Sequence, residues 1–321
     1  MVRHYRKVIR IRAVDSPNVQ LALTQQQMGL PVTHERIVPG VITWAEYQKR
    51  RKLWDPVMQC IKLDAEFYEG AEVLMYPPEW LNKAEAYAAH RPENTATALG
   101  IDTAEGGDKT CWAAVGSHGL VKLVALKTPD TAVITGRTIA MMNEFDIEPE
   151  MVMFDQGGGG QEHADRLRYQ GYDVQTVSFG ESVTPEPVRF LKQWEEKQHE
   201  RRERYVYKNR RAQMYWLLHL ALDPGTEETP YPNNDGHGFG IPAEYTELRR
   251  QLSVIQTLWD EEGRIMMPPK RRKPGQAANS KAGLKSLEEL LGCSPDEADA
   301  VVLAMYALQP GSQGVTVSPI F

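Results

Sequence analysis

Cysteine is scarce in this sequence of 321 residues. Cys60, Cys111 and Cys293 are widely separated and form no Cys-x-x-Cys pair, which argues against a thiolate zinc site and against a disulfide framework. We interpret them as reduced thiols of a cytoplasmic protein. Long apolar runs are also missing, since none approaches the roughly 20 residues that a membrane helix needs. The basic N-terminus leads into alternating residues and not into the apolar core of a secretion signal.

Two further absences concern chemistry. The sequence has no Gly-Lys dipeptide and therefore no phosphate-binding loop of the Gly-x-x-x-x-Gly-Lys-Ser/Thr type. We therefore do not expect this chain to hydrolyse ATP on its own. The chain also has no excess of positive charge, since its net charge is -6. This counts mildly against a nucleic-acid partner, although the basic residues are clustered and local patches decide binding.

The hydrophobic pattern divides the chain near residue 95. Within residues 1–95, an alternating segment at 8–14 predicts a half-buried strand. Residues 43–54 predict an amphipathic helix, with Thr43 and Glu46 forming a capping box. We find no chemistry-bearing cluster in this region and interpret it as a linker or docking subdomain. Residues 96–310 predict a larger domain, and residues 311–321 a flexible tail.

Strands and helices alternate through the first half of the larger domain. Three sequential strands, at 97–101, 111–115 and 121–126, predict an antiparallel meander. A helix at 131–145, a strand at 151–154, a helix to residue 170 and a strand at 174–179 follow. This order predicts an α/β fold with a mixed β-sheet flanked by helices. A long charged helix at 195–222, a hairpin within 254–267 and a final helix at 294–308 complete the domain.

Carboxylates follow two of these strands. Asp102 and Asp155 each end a predicted strand, at the sheet edge where open α/β proteins bind ligands. Asp299 lies in the first turns of the final helix and shares a helix face with Asp296. Packed carboxylates raise one another's pKa, and a divalent cation removes that penalty. Oxygen ligands without His or Cys favour Mg²⁺ or Mn²⁺, and two such ions support phosphodiester hydrolysis.

Each feature alone also has a simpler interpretation. An aspartate at a strand end is often only a turn former, and acidic residues such as Asp296 favour the first turn of a helix. Asp108 either supports a metal or shapes the turn after Gly107. The four glycines at 157–160 indicate either a flexible turn or a close backbone approach to DNA or metal. The prediction therefore depends on the combination and the order of these features.

Basic residues follow the hairpin and precede Asp299 in the sequence. We predict that they contact the phosphate backbone of double-stranded DNA with little sequence preference, and the alternative is a solvated basic loop. The residues are Lys270, Arg271, Arg272, Lys273, Lys281 and Lys285.

Several segments, taken together and in order, resemble the nuclease part of phage terminase large subunits. Residues 100–110 (GIDTAEGGDKT) resemble its first nuclease motif, and residues 154–160 (FDQGGGG), with 171–172 and 177–180, resemble the second. Residues 208–216 (KNRRAQMYW) look like the helix after it, and residues 292–300 (GCSPDEADA) like the third motif. Residues 15–19, 39–40 and 66–70 look like the segment that joins the terminase motor to its nuclease.

The resemblance implies a ribonuclease-H-like fold and Mg²⁺- or Mn²⁺-dependent endonucleolytic cutting of viral DNA during packaging, in the cytoplasm of an infected bacterial host. It makes Asp102, Asp155 and Asp299 the metal ligands, with Asp108 and Asp296 as auxiliaries. It implies double-stranded DNA, the ATPase motor, the small terminase subunit and the portal as partners. Because the motor's phosphate loop is missing, we expect a fragment of a longer protein or the second half of a split gene.

Three alternatives stay open. Another ribonuclease-H-like nuclease, such as a Holliday-junction resolvase, shares the carboxylates and differs in its substrate. A latent half of a split terminase would serve assembly with the motor and portal. A phosphotransferase of the actin or sugar-kinase type also begins with a strand, an acidic residue and Gly-rich turns, but it gives the acidic final helix no role.

Overall fold

The computed structural model describes residues 9–53, 59–66, 74–91, 93–104, 107–183, 206–223, 238–260, 264–271 and 285–309. Contacts between residues divide the chain into two compact units. Among the described residues, the first unit comprises those up to residue 66 and the second those from residue 74 onward. None of the described helices is long and apolar enough to cross a membrane.

The first unit is small and helical. Helix α1 (Pro17–Gln27) packs against helix α2 (Trp44–Leu53) through Val19, Ala22 and Trp44, and a short π-helical turn (Gln59–Leu63) follows. The predicted capping box is confirmed: the Thr43 N–H donates to Glu46 Oε2 at 2.8 Å, and the Glu46 N–H donates to Thr43 Oγ1 at 3.2 Å.

The strand predicted at residues 8–14 is wrong. Residues 9–12 have no regular structure, and Ala13–Asp15 form a single 3-10 turn. Ile9 and Ile11 are 72% and 77% exposed. Alternation predicts a strand only where a partner strand satisfies its N–H and C=O groups, and no such partner is found among the described residues.

The second unit begins with helix α3 (Pro78–His90), whose Leu81 and Ala84 are buried in its core. The sequence pattern puts a boundary near residue 95, whereas the contacts group residues 74–91 with the larger unit. The difference arises because an amphipathic helix shows that it needs a buried face, but not which neighbour buries it.

A five-stranded mixed sheet forms the centre of the second unit. It contains β1 (Ala96–Asp102), β2 (Thr110–Gly116), β3 (Gly119–Leu126), β4 (Val152–Asp155) and β5 (Gln175–Val177), in the order β3-β2-β1-β4-β5. The first three strands are antiparallel, while β4 runs parallel to β1 and to β5. The predicted meander and the mixed α/β sheet are thus confirmed.

Helices cover both faces of this sheet. Helices α4 (Thr131–Phe145) and α5 (Gly160–Tyr169) lie against one face, where Ile101, Trp112 and Phe154 are buried. Helices α6 (Arg210–Leu222), α7 (Thr246–Leu252) and the last helix pack on the other face. Strand residues alternate between the two cores, as the period of a strand requires.

The remaining elements complete the second face. The predicted hairpin is present as β6 (Leu258–Trp259) and β7 (Ile265–Met266), and helices α8 (Leu287–Leu291) and α9 (Asp296–Ala307) follow. A single helix over 195–222 is not observed. Residues 206–209 are not helical, and α6 begins after Asn209, whose side chain accepts a hydrogen bond from the Ala212 N–H. The part predicted at 195–205 lies outside the described residues.

Helix α9 is buried along almost its whole length and packs across β1, β2 and β4. Gly100 makes this close packing possible. A Cβ atom at Gly100 would lie 2.2 Å from the Ala300 carbonyl oxygen and 2.3 Å from the Ala304 nitrogen. The absence of a side chain on β1 therefore sets the distance between the sheet and the helix that carries Asp299.

Candidate functional site

Three segments bring carboxylates to one edge of the sheet. Strands β1 and β4 are parallel neighbours with Ile101 opposite Phe154, so the strand-end residues Asp102 and Asp155 lie side by side. Helix α9 begins at the same edge, and its first turn contains Asp296 and Asp299. The acidic residues of this turn also interact favourably with the helix dipole.

The glycine run after β4 packs tightly against β1. Thr103 Oγ1 donates to the Gly158 carbonyl oxygen at 2.9 Å. A Cβ atom would lie 2.3 Å from the Thr103 carbonyl oxygen if built on Gly158, and 1.9 Å from the Asp155 carbonyl oxygen if built on Gly160. Gly158 also has a positive φ of 57°. The run is therefore a close backbone contact that fixes the loops after Asp102 and Asp155 relative to each other.

The ammonium group of Lys270 lies among three of the carboxylates. Its Nζ atom is 3.4 Å from Asp102 Oδ2, 3.4 Å from Asp296 Oδ1 and 3.2 Å from Asp299 Oδ2. The side chains of these aspartates are 6%, 9% and 0% exposed. One positive charge thus neutralises part of a buried acidic cluster, which would otherwise be strongly self-repelling.

Asp299 is held from its other side by helix α6. Arg211 donates to Asp299 Oδ1 through Nε at 3.1 Å and through a terminal nitrogen at 3.0 Å, and the Tyr215 hydroxyl donates to the same oxygen at 2.7 Å. The Tyr76 hydroxyl donates to the Tyr215 carbonyl oxygen at 2.7 Å. Asp299 Oδ2 lies 3.2 Å from Lys270 Nζ and accepts a longer hydrogen bond from Arg211 at 3.4 Å, so the two oxygens share Arg211 but differ in their other contacts.

Asp155 lies at the flank of the cluster and is only partly buried. Its Oδ1 atom accepts a hydrogen bond from the Phe179 N–H at 3.3 Å. Burial raises the pKa of Asp155 above its ordinary value, and the charge of Asp299 adds to this effect, while the Phe179 N–H opposes it.

The surroundings also disfavour charge on Asp102 and Asp296. Burial raises the pKa of Asp102 well above its ordinary value, with further contributions from Asp299 and Asp296, and Lys270 offsets only part of this rise. Burial likewise raises the pKa of Asp296, against the opposing effect of Lys270. These shifts mean that the cluster, as it stands, has too little positive charge nearby.

Asp299 behaves in the opposite way. Burial works against its charge, but Arg211, Lys270 and the Tyr215 hydroxyl together outweigh burial and lower the pKa of Asp299. Burial alone would lower the pKa of Lys270. The negative charges of Asp299 and Asp102 have the larger effect, so the pKa of Lys270 is raised. Asp299 therefore stays ionised, and Lys270 stays protonated, at neutral pH.

Two of the other predicted residues, Asp108 and Arg271, contact each other. Asp108 Oδ2 accepts from a terminal nitrogen of Arg271 at 2.6 Å, and Arg271 also pairs with Glu288. Asp108 therefore pairs with a different cation from Asp102, Asp296 and Asp299, which contact Lys270. Lys285 is exposed. Three predicted DNA contacts, at Arg272, Lys273 and Lys281, lie outside the described residues.

The carboxylates are suited in chemistry to a hard divalent cation. Asp102, Asp296 and Asp299 already direct oxygen atoms at one positive point, and no His or Cys of the described segments joins them. Their distances are those of ion pairs with an ammonium group and not the roughly 2.0–2.1 Å of Mg²⁺ ligands. In this arrangement, no three His, Cys, Asp or Glu residues among the described ones form a metal site.

Arg211 and Tyr215 were not among the site residues predicted from the sequence. Both lie on helix α6, far in sequence from Asp299, so neither strand ends nor helix spacing could associate them with it. A signal was nevertheless present in the sequence. Arg211 shares the buried face of the helix with Met214, Tyr215 and Leu218, and a buried arginine needs an acidic partner.

Known structures share the fold of this chain. No protein-family model and no curated protein matches the sequence. The nuclease domain of the large terminase subunit of bacterial virus Sf6 is 18% identical to this chain; the match covers 73% of this chain and 98% of that one, with a TM-score of 0.50. A lysine-to-alanine variant of that domain, with manganese, is 17% identical over 73% and 99% of the two chains, with a TM-score of 0.52. This chain therefore shares the fold of those domains, and its mixed sheet flanked by helices agrees with the ribonuclease-H-like fold that the resemblance implies.

Proposed function

We propose that this chain is a divalent-metal-dependent endonuclease that cuts double-stranded viral DNA during genome packaging, as the nuclease part of a terminase large subunit. One observation supports the proposal most directly. Carboxylates from β1, β4 and α9 meet at a single sheet edge, and three of them already surround one positive charge. The Sf6 nuclease domain with manganese, which shares the fold, supports the choice of metal.

In this proposal Asp102, Asp155 and Asp299 hold Mg²⁺ or Mn²⁺, two ions in all, with Asp296 and Asp108 as auxiliaries. The bound ions supply water activation and stabilisation of the leaving oxygen. Asp102 and Asp155 need a cation because their surroundings disfavour their charge. Asp299 is already ionised by its contacts with Arg211 and Tyr215.

Basic residues beside the carboxylates bind the DNA phosphates. When divalent cations neutralise the cluster, the Lys270 ammonium becomes available to a phosphate instead of to Asp102 and Asp299. The Arg271 side chain is 63% exposed and pairs with Asp108, and Lys285 is exposed. Arg272, Lys273 and Lys281 extend the same basic stretch of sequence. Contacts of this kind recognise the backbone and predict little sequence preference.

The wider setting follows from the resemblance of the sequence motifs. The partners would be the ATPase motor, the small terminase subunit and the portal, in the cytoplasm of the infected bacterial host. The first unit would connect or dock the nuclease, helix α3 and residues 96–310 would form it, and residues 311–321 would be its tail. ATP hydrolysis would belong to the separate motor.

The test is cleavage of supercoiled plasmid with Mn²⁺, with Mg²⁺ and with EDTA. Asp102→Asn and Asp155→Asn should abolish cutting. Asp146→Asn serves as the matched control, since Asp146 is an exposed left-handed residue at the end of α4 where asparagine fits equally well. Metal-dependent nicking that only the site variants lose supports the proposal.

Other outcomes would replace the proposal. Cutting that survives in both site variants would place the activity elsewhere. A strong preference for a four-way junction over linear duplex would favour a resolvase. A folded protein that binds DNA but cuts with neither metal would favour the latent, assembly role.

A further inference from the structure

Asp299 makes unequal use of its two carboxylate oxygens. Its Oδ1 atom accepts hydrogen bonds from Arg211 at 3.0 and 3.1 Å and from the Tyr215 hydroxyl at 2.7 Å. The other oxygen, Oδ2, has a longer contact of 3.4 Å with Arg211 and lies 3.2 Å from Lys270. Three donors from helix α6 thus occupy one oxygen, while the other faces the acidic cluster.

We propose that Arg211 and Tyr215 are positioning residues that reserve Oδ1 of Asp299 for helix α6, so that Asp299 can offer only Oδ2 to a divalent cation. The inference rests on the proposed metal-dependent function and adds a cause of metal selectivity. A carboxylate that offers one oxygen suits the strict octahedral shell of Mg²⁺ or Mn²⁺. Ca²⁺, with its larger and more flexible shell, also accepts carboxylates through both oxygens.

The burial and packing of the donors support this assignment. Asp299 is 0% exposed and the Arg211 side chain is 10% exposed. The Arg211 guanidinium also lies over the rings of Phe179 and Tyr215 at 5.8 and 5.2 Å. A planar fork packed in this way keeps its orientation, and so fixes the rotation of the carboxylate that it binds.

Tyr215→Phe tests the inference with little change in packing. It removes one donor from Oδ1 and leaves the ring in place. Tyr76→Phe is the matched control, because Tyr76 is also fully buried and its hydroxyl also donates at 2.7 Å, but to the Tyr215 carbonyl oxygen and not to Asp299. Arg211→Lys is the second variant. It keeps the positive charge but loses the planar guanidinium that donates through two nitrogens to Asp299 Oδ1.

The measurement is Mn²⁺ and Ca²⁺ binding by isothermal titration calorimetry on the whole chain, without DNA. Tyr215→Phe should weaken Mn²⁺ binding about 10- to 100-fold, as for other residues that orient metal ligands. Its Ca²⁺ affinity should change less, so the ratio of Mn²⁺ to Ca²⁺ affinity falls. Tyr76→Phe should leave this ratio unchanged even if the protein becomes less stable.

The outcomes separate this inference from the proposed function. If the wild-type chain binds and cuts with Mn²⁺ but Tyr215→Phe and Arg211→Lys keep the wild-type affinity ratio, the positioning role is wrong and the nuclease function stands. The same conclusion follows if Tyr76→Phe lowers the ratio equally, because the effect would then come from general loosening. If the wild-type chain neither binds Mn²⁺ nor cuts DNA, the proposed function itself fails.

Discussion

Asp299 and Asp102 belong to the same cluster, yet their surroundings affect a negative charge in opposite ways. Arg211, Tyr215 and Lys270 surround Asp299, so its pKa is lowered although burial acts against it. Among the described residues, Lys270 is the one cation paired with Asp102, and burial keeps the pKa of Asp102 well above its ordinary value. Neutralising the two residues should therefore change stability in opposite directions.

Asp299→Asn should destabilise the protein. The substitution leaves the buried Arg211 guanidinium without its anionic partner, and breaking a buried pair in this way costs about 3–5 kcal/mol. Urea denaturation in EDTA measures the free energy of unfolding. A loss below about 1 kcal/mol, the value of an exposed pair, would contradict the pairing of Arg211 with Asp299.

Asp102→Asn should raise the melting temperature when divalent cations are absent. It removes a charge that burial and the neighbouring carboxylates disfavour, while Lys270 keeps its contacts with Asp296 and Asp299. Thermal melting in EDTA at pH 8 tests this, with plasmid cleavage lost in the same variant. A lower melting temperature would show that the Lys270–Asp102 ion pair outweighs the cost of burying the charge.

At the scale of elements, the contact between β1 and α9 determines where Asp299 lies relative to Asp102. The two elements approach closely because Gly100 has no side chain and the facing positions of α9 include Ala300 and Ala304. Asp102 ends this strand two residues later, and Asp299 immediately precedes Ala300. The contact of Gly100 with α9 therefore determines both the packing of the core and the distance between Asp102 and Asp299.

Gly100→Ala should reduce both stability and activity. The new Cβ would lie 2.2 Å from the Ala300 carbonyl oxygen, so the helix must move away from the strand. Overpacking of this kind costs about 1–3 kcal/mol, and a shift near 1 Å at the site costs about 100-fold in rate. Chemical denaturation and plasmid cleavage measure the two losses.

Gly136→Ala is the control for this substitution. Gly136 lies on the exposed face of α4, and a Cβ there would meet no atom within 4 Å. An alanine in the interior of a helix should stabilise it by about 0.4–1 kcal/mol and leave cleavage unchanged. If both alanine variants behave alike, the close packing at Gly100 does not set the site geometry.

At the scale of the whole molecule, the acidic cluster should link stability, pH and metal. In the folded state Asp102, Asp155 and Asp296 have raised pKa values, so the folded protein binds their protons more tightly than the unfolded chain does. Without metal, their contribution to stability is largest below the ordinary pKa of aspartate and is lost as the pH rises through the raised folded values. Asp299, with a lowered pKa, loses its contribution only in stronger acid, as the pH falls through its folded value.

Mn²⁺ should therefore raise the melting temperature more at pH 8 than at pH 5. At the lower pH, protons compete with the cation for the carboxylates, whereas at the higher pH the cation binds ionised ligands that lack sufficient counter-charge. Differential scanning fluorimetry with Mn²⁺ and with EDTA at both pH values tests this. Asp102→Asn should show a smaller increment at pH 8, and an increment independent of pH in the wild type would argue against binding at this cluster.

The fold was accessible from the sequence because its main signals are local. Alternation and apolar runs predicted the meander of β1, β2 and β3, and the strand–helix order predicted the mixed sheet. Failures arose where a local pattern depended on a distant partner. Residues 9–14 alternate but pair with no described strand, and α3 joins the larger unit because Leu81 and Ala84 find their neighbours there.

For the candidate site, the sequence by itself identified the acidic residues, because Asp102 and Asp155 end strands and Asp296 and Asp299 share a helix turn. Only the tertiary structure showed that Lys270 lies among these carboxylates and that Arg211 and Tyr215 hold one oxygen of Asp299. The physical reason is distance along the chain. Strand ends and helix faces are properties of neighbouring residues, whereas the electrostatic environment of a buried carboxylate is decided by side chains that packing brings from other helices and loops.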